Sequence, residues 1–279
     1  MTAPARLTPV ADPADPRIAE FTAMRDRDLA GRGNRFIAEG RVVLQALAEA
    51  EAGHKRFVIE KVLILENRVA GLSDLIAQLD PDCPVYVAGR EVIDAVVGFA
   101  MHRGVLALGR YLPVAGLREF ISRLPEQALL VAACGIANHD NIGGIFRNAG
   151  VFGADGVVLD DSCCDPLYRK AIRVSVGAAL RVPFCRGGSI AELVAELSGH
   201  GFEVVGLSPR GTGALSDFQP GRRVALLAGT EGEGLPEQII DQVKTLRIEQ
   251  APGLDSLNVA TASGIALWHA ASRMGRTSR

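Results

Sequence analysis

Apolar and polar positions alternate along the chain in short blocks that predict strands and helices in turn. Apolar runs of strand length occupy residues 35–38, 57–65, 85–87 and 104–108, and later 128–134, 156–159, 203–207, 224–228 and 245–248. Helical spacing of apolar residues occupies 42–50, 72–79 and 92–97, and later 142–152, 190–197 and 259–274. This alternation predicts an α/β protein, and the later blocks predict a mostly parallel sheet.

The same pattern predicts four segments. Residues 1–16 contain four prolines and no period, so we expect a loose N-terminal arm there. Residues 17–110 predict a small α/β domain, and residues 128–279 predict a second one. Between them, residues 111–127 combine turn-forming residues with a short helical pattern, which is typical of a linker.

The composition is that of a globular protein, because 48% of the 279 residues are hydrophobic and 22% are charged. The longest apolar stretch, Ala128 to Cys134, is far shorter than the roughly 18 to 20 residues that a membrane span needs. The N-terminus lacks the layout of a signal peptide, so we expect a cytoplasmic protein. The five cysteines have no Cys-x-x-Cys spacing, which favours reduced thiols over a disulfide or metal site, and we interpret the adjacent Cys163 and Cys164 as incidental.

The net charge of −2 gives no overall attraction to nucleic acid, so any such binding depends on local patches. Residues 166–190 contain five basic residues and no acidic one, and residues 25–41 are modestly basic. A solvated surface explains each segment equally well when it is taken alone.

Two loops follow strands late in the chain. The run 224–228 leads directly into Gly229-Thr230-Glu231-Gly232-Glu233-Gly234, which places two carboxylates among three glycines. The predicted strand 245–248 leads into a second loop that ends in Ser256 and Asn258, side chains suited to start the helix at Val259. Loops of this kind at the carboxyl edge of a sheet predict a ligand site, and two ordinary turns are the alternative.

A third polar segment follows the predicted strand 128–134. Asp140 or Asn141 is suited to cap the next helix, and Arg147 then lies about one and a half turns from its start. The helix dipole disfavours a cation at that end, so Arg147 calls for an acidic partner or a phosphate. A surface ion pair with Asp140 or Asp155 is an equally good interpretation from these residues alone.

Taken together, the three segments resemble a known family. Asn141-x-Gly143-x-x-x-Arg147-x-Ala149, then Gly229-Thr-Glu231-Gly232-x-Gly234-Leu235, then Ile248 through Ser256-Leu257-Asn258-Val259 are similar to the three ordered motifs of the SpoU (TrmH) RNA 2'-O-ribose methyltransferases of the SPOUT superfamily. The likeness covers the chain after Ala128. Residues 34–40 and 102–107 resemble that family's ribosomal-protein-like substrate-binding module. Two positions depart from the family pattern. The family usually has Asn or Ala where this chain has Thr230, and Ser where this chain has Ala260.

The resemblance implies a fold, a cofactor and an assembly. It implies that the C-terminal segment forms a deep trefoil knot, that the knot loops bind S-adenosylmethionine, and that the protein is a homodimer with its active sites at the interface. It also implies residue roles. Cofactor binding falls to Leu207, Gly229, Gly232, Ile248, Leu257 and Asn258. The catalytic set comprises Arg147, Asn141, Glu231, Ser256 and Asn258.

Within that set the resemblance puts Arg147 at the reacting ribose hydroxyl, with Asn141 orienting Arg147 or the ribose. Glu231 is expected to accept hydrogen bonds from Arg147 or from helix amides, while Ser256 and Asn258 shape the loop at the methyl donor. The basic segments are then expected to form a track that binds RNA phosphates. We assign to it Arg35, Arg41, Arg169, Lys170 and Arg173.

The predicted function is therefore S-adenosylmethionine-dependent methylation of a ribose 2'-hydroxyl in rRNA or tRNA. A non-catalytic RNA-binding protein that keeps the fold is the alternative, and it would have lost catalytic residues that are all present here. A Rossmann enzyme would need a Gly-x-Gly-x-x-Gly turn, whereas Gly31-Arg32-Gly33 and Gly211-Thr212-Gly213 both lack the third glycine.

Overall fold

The computed structural model describes residues 7–22, 34–98, 101, 103–112, 116–251, 253 and 257–277. The chain divides into two compact units. One contains the described residues before 114 together with Leu167–Arg181, and the other contains the remainder. The domain limits predicted from the sequence, 17–110 and 128–279, therefore differ from these units chiefly in the segment 167–181. The predicted limits stay a prediction.

The elements follow one another in the predicted alternation. The strands of the described part are β1 Leu7–Val10, β2 Arg35–Glu39, β3 Phe57–Leu65, β4 Val85–Ala88, β5 Val105–Tyr111, β6 Ala128–Ala133, β7 Gly156–Leu159, β8 Phe184–Arg186, β9 Glu203–Leu207, β10 Gly213–Ala214, β11 Arg223–Ala228 and β12 Lys244–Arg247. Its α-helices are α1 Ala19–Thr22, α2 Arg41–His54, α3 Ser73–Gln78, α4 Arg90–Val97, α5 Leu117–Ser122, α6 His139–Val151, α7 Arg169–Val174, α8 Ala178–Arg181, α9 Ile190–Gly199, α10 Glu237–Ile240 and α11 Val259–Arg273. Single 3-10 turns lie at Pro16–Ile18, Glu66–Arg68, Ala70–Leu72 and Leu215–Asp217.

The first unit is built on a five-stranded sheet in the order β1-β4-β3-β5-β2. Strands β1, β4 and β3 are parallel, while β5 runs antiparallel to both β3 and β2. Helices α7 and α8 belong to this unit, and α7 packs beside β2. A stretch of chain that follows β7 in sequence therefore completes the unit formed by the N-terminal residues.

Part of the predicted loose arm is ordered. Leu7–Val10 pairs in parallel with Val85–Ala88 as the edge strand of the first sheet. Pro9 is compatible with this position because an edge strand has one side without a partner, where a missing N–H breaks no ladder. The expectation of a loose arm is thus wrong for these four residues, since their partner strand lies far along the chain and local pattern does not report it.

The second unit holds a seven-stranded parallel sheet in the order β10-β12-β9-β11-β6-β7-β8. Every residue of β6 and β7 is buried, as expected for central strands covered on both faces. Because all strands run in one direction, their carboxyl ends meet at one edge. No helix in the described part is both long and apolar enough to cross a membrane.

Helix α11 is held at its far end by a residue that follows it. The guanidinium of Arg276 donates to the carbonyl oxygens of Gly153, at 2.8 Å, and Gln127, at 2.7 Å. It also lies 2.8 Å from Oδ2 of Asp155, an oxygen that accepts a 2.7 Å hydrogen bond from the Leu129 amide. Arg276 thereby ties the end of α11 to the beginnings of β6 and β7.

We expect Arg276→Ala to lower the free energy of unfolding by about 2 kcal/mol, since it removes charge-assisted bonds and leaves Asp155 half-buried without its cation. Calorimetry or urea titration of the purified protein measures the change. Arg273→Ala is the matched control, because Arg273 is exposed and its side chain makes no hydrogen bond or ion pair with the described residues. Equal stability of the two variants would contradict the anchoring role of Arg276.

Candidate active site

Four strand ends bring the predicted site segments to one edge of the second sheet. Strand β6 leads into the turn at Gly135, β9 ends at Leu207, β11 leads into Gly229, and β12 leads into Ile248. These strands are neighbours in the order β12-β9-β11-β6. Loops far apart in sequence therefore line the same edge.

A chain of side-chain hydrogen bonds joins the three motifs. Nδ2 of Asn258 donates to Oδ1 of Asn141 at 2.8 Å, and Nδ2 of Asn141 donates to Oε1 of Glu231 at 2.9 Å. The same Oε1 accepts the backbone N–H of Asn138 at 3.2 Å. Residues at positions 141, 231 and 258 thus form one connected relay.

Asn258 has a second role at the start of α11. Its Oδ1 accepts the backbone N–H groups of Ala260, at 3.0 Å, and Thr261, at 3.2 Å, as an N-cap. The predicted cap is confirmed, and the side chain uses its oxygen for the helix and its nitrogen for Asn141. Ser256, the other predicted residue of this loop, lies outside the described residues.

Helix α6 begins earlier than the sequence pattern predicts. Asn138 caps it, with its Oδ1 accepting the Asp140 amide at 2.8 Å. The prediction that Asp140 or Asn141 is the cap is therefore wrong. The earlier start frees the side-chain amide of Asn141, the third residue of the helix, to bond to Glu231 and Asn258.

The earlier start also changes the position of Arg147. It is the ninth residue of α6, just over two turns from the start at ~3.6 residues per turn, and so beyond the reach of the dipole effect expected from the sequence. Its side chain is exposed and makes no hydrogen bond or ion pair with any residue that the structure describes. Asp155, one proposed partner, is paired with Arg276 instead. The ion-pair interpretation therefore finds no support, and Arg147 is available to a ligand.

Glu231 is the charged end of the relay. Burial raises the pKa of Glu231, but the hydrogen bonds donated by Asn141 and by backbone amides outweigh burial and hold the pKa below its ordinary value. Of the two kinds of partner predicted for this carboxylate, Arg147 or helix amides, the structure has the second. An ionised carboxylate here stabilises the first turn of α6 and leaves Arg147 uncompensated.

The glycine-rich loop is closed by its own backbone. Thr230 and Gly234 exchange two backbone hydrogen bonds of 3.1 and 3.2 Å, and Oγ1 of Thr230 adds a third to the Gly234 oxygen at 3.2 Å. A Cβ on Gly229 would lie 2.4 Å from the Gly234 carbonyl carbon, so glycine is required there. Thr230, a departure from the family pattern, thus helps to close the loop. At Gly232, in contrast, a Cβ would meet no described atom within 4 Å, which leaves the backbone open.

The remaining residues predicted to hold the cofactor lie where the strands stop pairing. Gly229 is buried and follows Ala228, the last residue of β11 that pairs with β6. Leu207, Ile248 and Leu257 are half-buried at the end of β9, after β12 and before α11. Half-buried apolar side chains thus lie beside backbone that is not part of a strand ladder. This arrangement is suited to bind a flat heterocycle and its ribose.

Sequence reasoning missed the buried carboxylate of Asp160, which directly follows β7. Its Oδ1 accepts the amides of Gly135, at 3.1 Å, and Cys163, at 3.0 Å, and the hydroxyl of Ser162 at 2.8 Å. Gly135 has φ +65°, and a Cβ there would lie 2.5 Å from Cγ2 of Thr230. Asp160 therefore holds the turn after β6 against the glycine-rich loop. The signal available in the sequence was an acidic residue at the carboxyl end of a predicted strand.

The cysteines near this edge are protonated thiols. Burial raises the pKa of Cys134 to about 12 and that of Cys164 to about 11. None of the five cysteines forms a disulfide with another described residue. In the described part of the chain no group of three or more His, Cys, Asp or Glu residues is arranged to hold a metal ion.

The basic residues assigned to RNA all belong to the first unit. Arg35 is paired with Glu60 at 2.7 Å, and a guanidinium nitrogen of Arg169 lies 4.0 Å from buried Glu39. The other three, Arg41, Lys170 and Arg173, are exposed. Arg103, which the prediction omitted, lies 4.0 Å from the second oxygen of Glu39 and belongs to the same surface. It falls within the second stretch that resembles the substrate-binding module, which was the available signal.

Comparison with known proteins gives a consistent result. A model of the SpoU rRNA Methylase family matches residues 128–268. An uncharacterized tRNA/rRNA methyltransferase of Mycobacterium bovis is 36% identical over 270 residues, which cover 93% of this chain and 90% of that protein. The 23S rRNA (guanosine-2'-O-)-methyltransferase RlmB of Photobacterium profundum is 29% identical over 221 residues, 76% of this chain and 89% of that protein.

The solved structure of an AdoMet-bound rRNA methyltransferase from Sinorhizobium meliloti superposes with a TM-score of 0.80 at 23% identity, covering 98% of this chain and 100% of that chain. This likeness confirms the predicted fold class, an α/β domain with a parallel sheet preceded by a smaller α/β domain.

We expect the charge of Glu231 to stabilise the fold in a pH-dependent way. A carboxylate whose pKa is lower in the folded than in the unfolded protein contributes fully above the unfolded pKa of about 4.3, and the contribution is lost as the pH falls through the folded pKa. Glu231→Gln keeps an acceptor for Asn138 and Asn141 but removes the charge. The melting temperature of wild type should therefore exceed that of Glu231→Gln near neutral pH, and this difference in melting temperature, the gap, should close in acid.

Glu233→Gln, which removes another carboxylate of the same loop, is the control and should show no such gap. A gap that stays constant from neutral pH into acid would show that charge is not involved.

Proposed function

The chain belongs to the SpoU rRNA methylase family, and from this premise we propose that it transfers the methyl group of S-adenosylmethionine to a ribose 2'-hydroxyl of ribosomal or transfer RNA. RNA methylation is the activity of the family, and the methyl donor is S-adenosylmethionine. The ribose position is our assignment. It is supported by similarity to RlmB, which by name methylates a guanosine 2'-oxygen.

One observation supports this proposal more strongly than the other observations do. The polar relay of Asn258, Asn141 and Glu231 is satisfied internally, whereas Arg147 on the same helix as Asn141 is exposed and has no partner among the described residues. An unpaired cation beside a rigid polar network is suited to an anionic ligand that arrives with the substrate.

The chemistry assigns a distinct task to each residue. When bound, S-adenosylmethionine would supply a methyl group on a sulfonium. The ribose oxygen would bond to the methyl carbon in line with the breaking carbon–sulfur bond, the sulfur would leave as a thioether, and the hydroxyl proton would pass to water. A guanidinium does not give up its proton near neutral pH, so Arg147 acts as a clamp for an RNA phosphate and stabilises the hydroxyl oxygen as it becomes anionic. Asn141, Glu231 and Asn258 hold the site rigid, and Ser256 completes the loop at the donor.

Cofactor binding falls to the strand ends. In our proposal the backbone at Gly229, Gly232 and Asn258 and the half-buried side chains of Leu207, Ile248 and Leu257 hold the adenosyl group. Short parallel strands that end together give these groups fixed spacing, so little ordering is left to occur on binding.

RNA binding falls to the first unit, where Arg41, Arg169, Lys170, Arg173 and Arg103 contribute basic side chains, with Arg35 as a weaker member because Glu60 balances its charge. Contacts of this kind position RNA through its phosphates without reading sequence. The proposal therefore leaves the identity of the nucleotide to the shape of the RNA.

We further propose a cytoplasmic homodimer formed through α11, with the C-terminal segment knotted. Helix α11 carries the large apolar residues Ile265, Leu267 and Trp268. Leu267 is fully buried in its own unit, but Ile265 is 36% exposed and Trp268 is 55% exposed. The half-exposed side chain of Trp268 weighs against the alternative, in which Trp268 packs on its own sheet, and so supports the dimer. Helix α11 packs against α6. The chain reaches α11 from β12, which lies two strands beyond β11 in the sheet order. This return across the sheet supports the knot.

The decisive variant is Arg147→Ala. We expect it to lower the turnover number by roughly 10²–10³-fold, because a stabiliser of the developing oxyanion acts in the transition state. Thermal stability and the Kd for S-adenosylmethionine should stay within error, since Arg147 has no partner among the described residues. Transfer of radiolabelled methyl groups to separate rRNA and tRNA pools measures the rate, and nuclease mapping of the product locates the methyl group. Arg273→Ala is again the control.

Arg147→Lys separates the clamp from a simple charge. A forked contact to phosphate is lost with Lys, so turnover should fall almost as far as with Ala. Near-normal turnover of the Lys variant would refute the clamp, and a methyl group mapped to a base would refute the ribose assignment.

The dimer is tested through Trp268. Trp268→Glu places a charge in the proposed apolar interface, so we expect the sedimentation mass at micromolar concentration to fall from two chains to one. Val42→Glu is the matched control, because Val42 is an exposed apolar residue of the first unit. A wild-type mass of one chain would count against the dimer.

A further inference from the structure

Helices α6 and α11 pack against each other, with small residues at the contact. Gly144 and Asn148 lie one turn apart on α6, and Ala260 and Gly264 lie one turn apart on α11. A Cβ on Gly144 would lie 2.7 Å from the Cβ of Ala260, and a Cβ on Gly264 would lie 2.8 Å from Nδ2 of Asn148. Each glycine therefore makes room for a side chain of the facing helix, and an added Cβ at either position would clash with it.

One polar bond crosses this contact. Nδ2 of Asn148 donates to the backbone oxygen of Ala260 at 2.7 Å, and the pair is part-buried. That oxygen lies in the first turn of α11, next to Asn258, which caps the helix and bonds to Asn141. The two helices are thus joined at two points, Asn141 with Asn258 and Asn148 with Ala260.

The geometry of α6 connects these points to Arg147. At about 100° per residue, Asn141, Gly144 and Asn148 share one face that spans about 60° of the helix, and Arg147 borders that face about 60° beyond Gly144. The direction in which Arg147 leaves the helix relative to the start of α11 is therefore set by this contact. The loop that precedes α11 carries Leu257 and Asn258, which we assign to the methyl donor.

We infer that Asn148 is a positioning residue for methyl transfer: its bond to Ala260 fixes Arg147 relative to the loop at the methyl donor. The inference rests on the proposed role of Arg147. In-line displacement requires the attacking oxygen, the methyl carbon and the leaving sulfur to be aligned, and a misplacement of about 1 Å costs as much as 10²-fold in rate. Without the second joining point, α6 pivots about the bond between Asn141 and Asn258.

The consequence is a separation of rate from binding. The cofactor residues lie at strand ends and before α11, and none of them touches Asn148 through a described hydrogen bond. Loss of the Asn148 bond should therefore lower the turnover number while leaving the Kd for S-adenosylmethionine nearly unchanged. A residue with a purely structural role would lower both, or lower only stability.

The experiment compares four single variants, and the double variant Asn148→Ala/Gly264→Ala, with wild type. Asn148→Ala removes the side chain, and Asn148→Asp keeps its size but cannot donate to a carbonyl oxygen. Asn148→Ser keeps a donor and is the conservative rescue. Gly264→Ala places a methyl group against the Asn148 side chain while residue 148 remains Asn. Turnover is measured as total methyl incorporation into RNA, with the KM for RNA, the Kd for S-adenosylmethionine by calorimetry and the melting temperature measured alongside.

We expect Asn148→Ala and Asn148→Asp to lower turnover by about tenfold or more, with the KM for RNA and the Kd for the cofactor changed less than about twofold. Asn148→Ser should recover part of the rate. Gly264→Ala should lower the rate in the wild-type background but add little to Asn148→Ala, because the atoms that an added Cβ would meet belong to the Asn148 side chain.

Full turnover of both Asn148→Ala and Asn148→Asp overturns the inference, as does a loss of rate matched by an equal loss of cofactor affinity. The proposed function is judged separately. If wild type places its methyl group on a base, the ribose assignment fails while the comparison of rates still decides the role of Asn148. If wild type methylates no RNA, the proposed function and the inference fall together.

Discussion

The hydrogen bond between Asn258 and Asn141 is the contact on which the site depends. It joins the start of α11 to α6 across 117 residues of sequence. Asn258 also caps α11, and Asn141 also bonds to Glu231, so each amide uses both its donor and its acceptor. Asn141 at the centre of the relay is buried, and a buried amide is costly when it lacks hydrogen-bonding partners, whereas Glu231 and Asn258 are exposed at the two ends. The relay therefore specifies one arrangement of the three loops.

The connection from β6 to α6 is held from both sides. Asp160 accepts the amide of Gly135, and Glu231 accepts the amide of Asn138. Between them the Ile136 oxygen accepts the amide of Cys164 at 2.8 Å. Two carboxylates thus fix a short segment whose own sequence contains a glycine in the left-handed region. The rigid surroundings contrast with Arg147, which has no partner among the described residues.

The first unit gains its basic surface from two distant parts of the chain. Glu39 at the end of β2 lies near the guanidinium groups of Arg103, which precedes β5, and of Arg169, which begins α7. Arg181 pairs with Glu49 of α2 at 2.7 Å, and a Cβ on Gly177 would lie 2.7 Å from Ala46. The segment 167–181 is thereby fastened to α2 and β2, which accounts for its place in this unit.

The sequence by itself determined the alternation of strands and helices, the cap at Asn258 and the order of the three motifs, because each is expressed in residues close together in the chain. It did not determine where α6 begins. Asn138, Asp140 and Asn141 are each able to cap a helix, and only the tertiary bonds of Asn141 to Glu231 and Asn258 decide in favour of Asn138. The strand at Leu7 and the partner of Asn148 were equally hidden. An edge strand and a bond across two helices exist only when the chain has brought distant backbone within hydrogen-bonding distance, and local pattern carries no record of that.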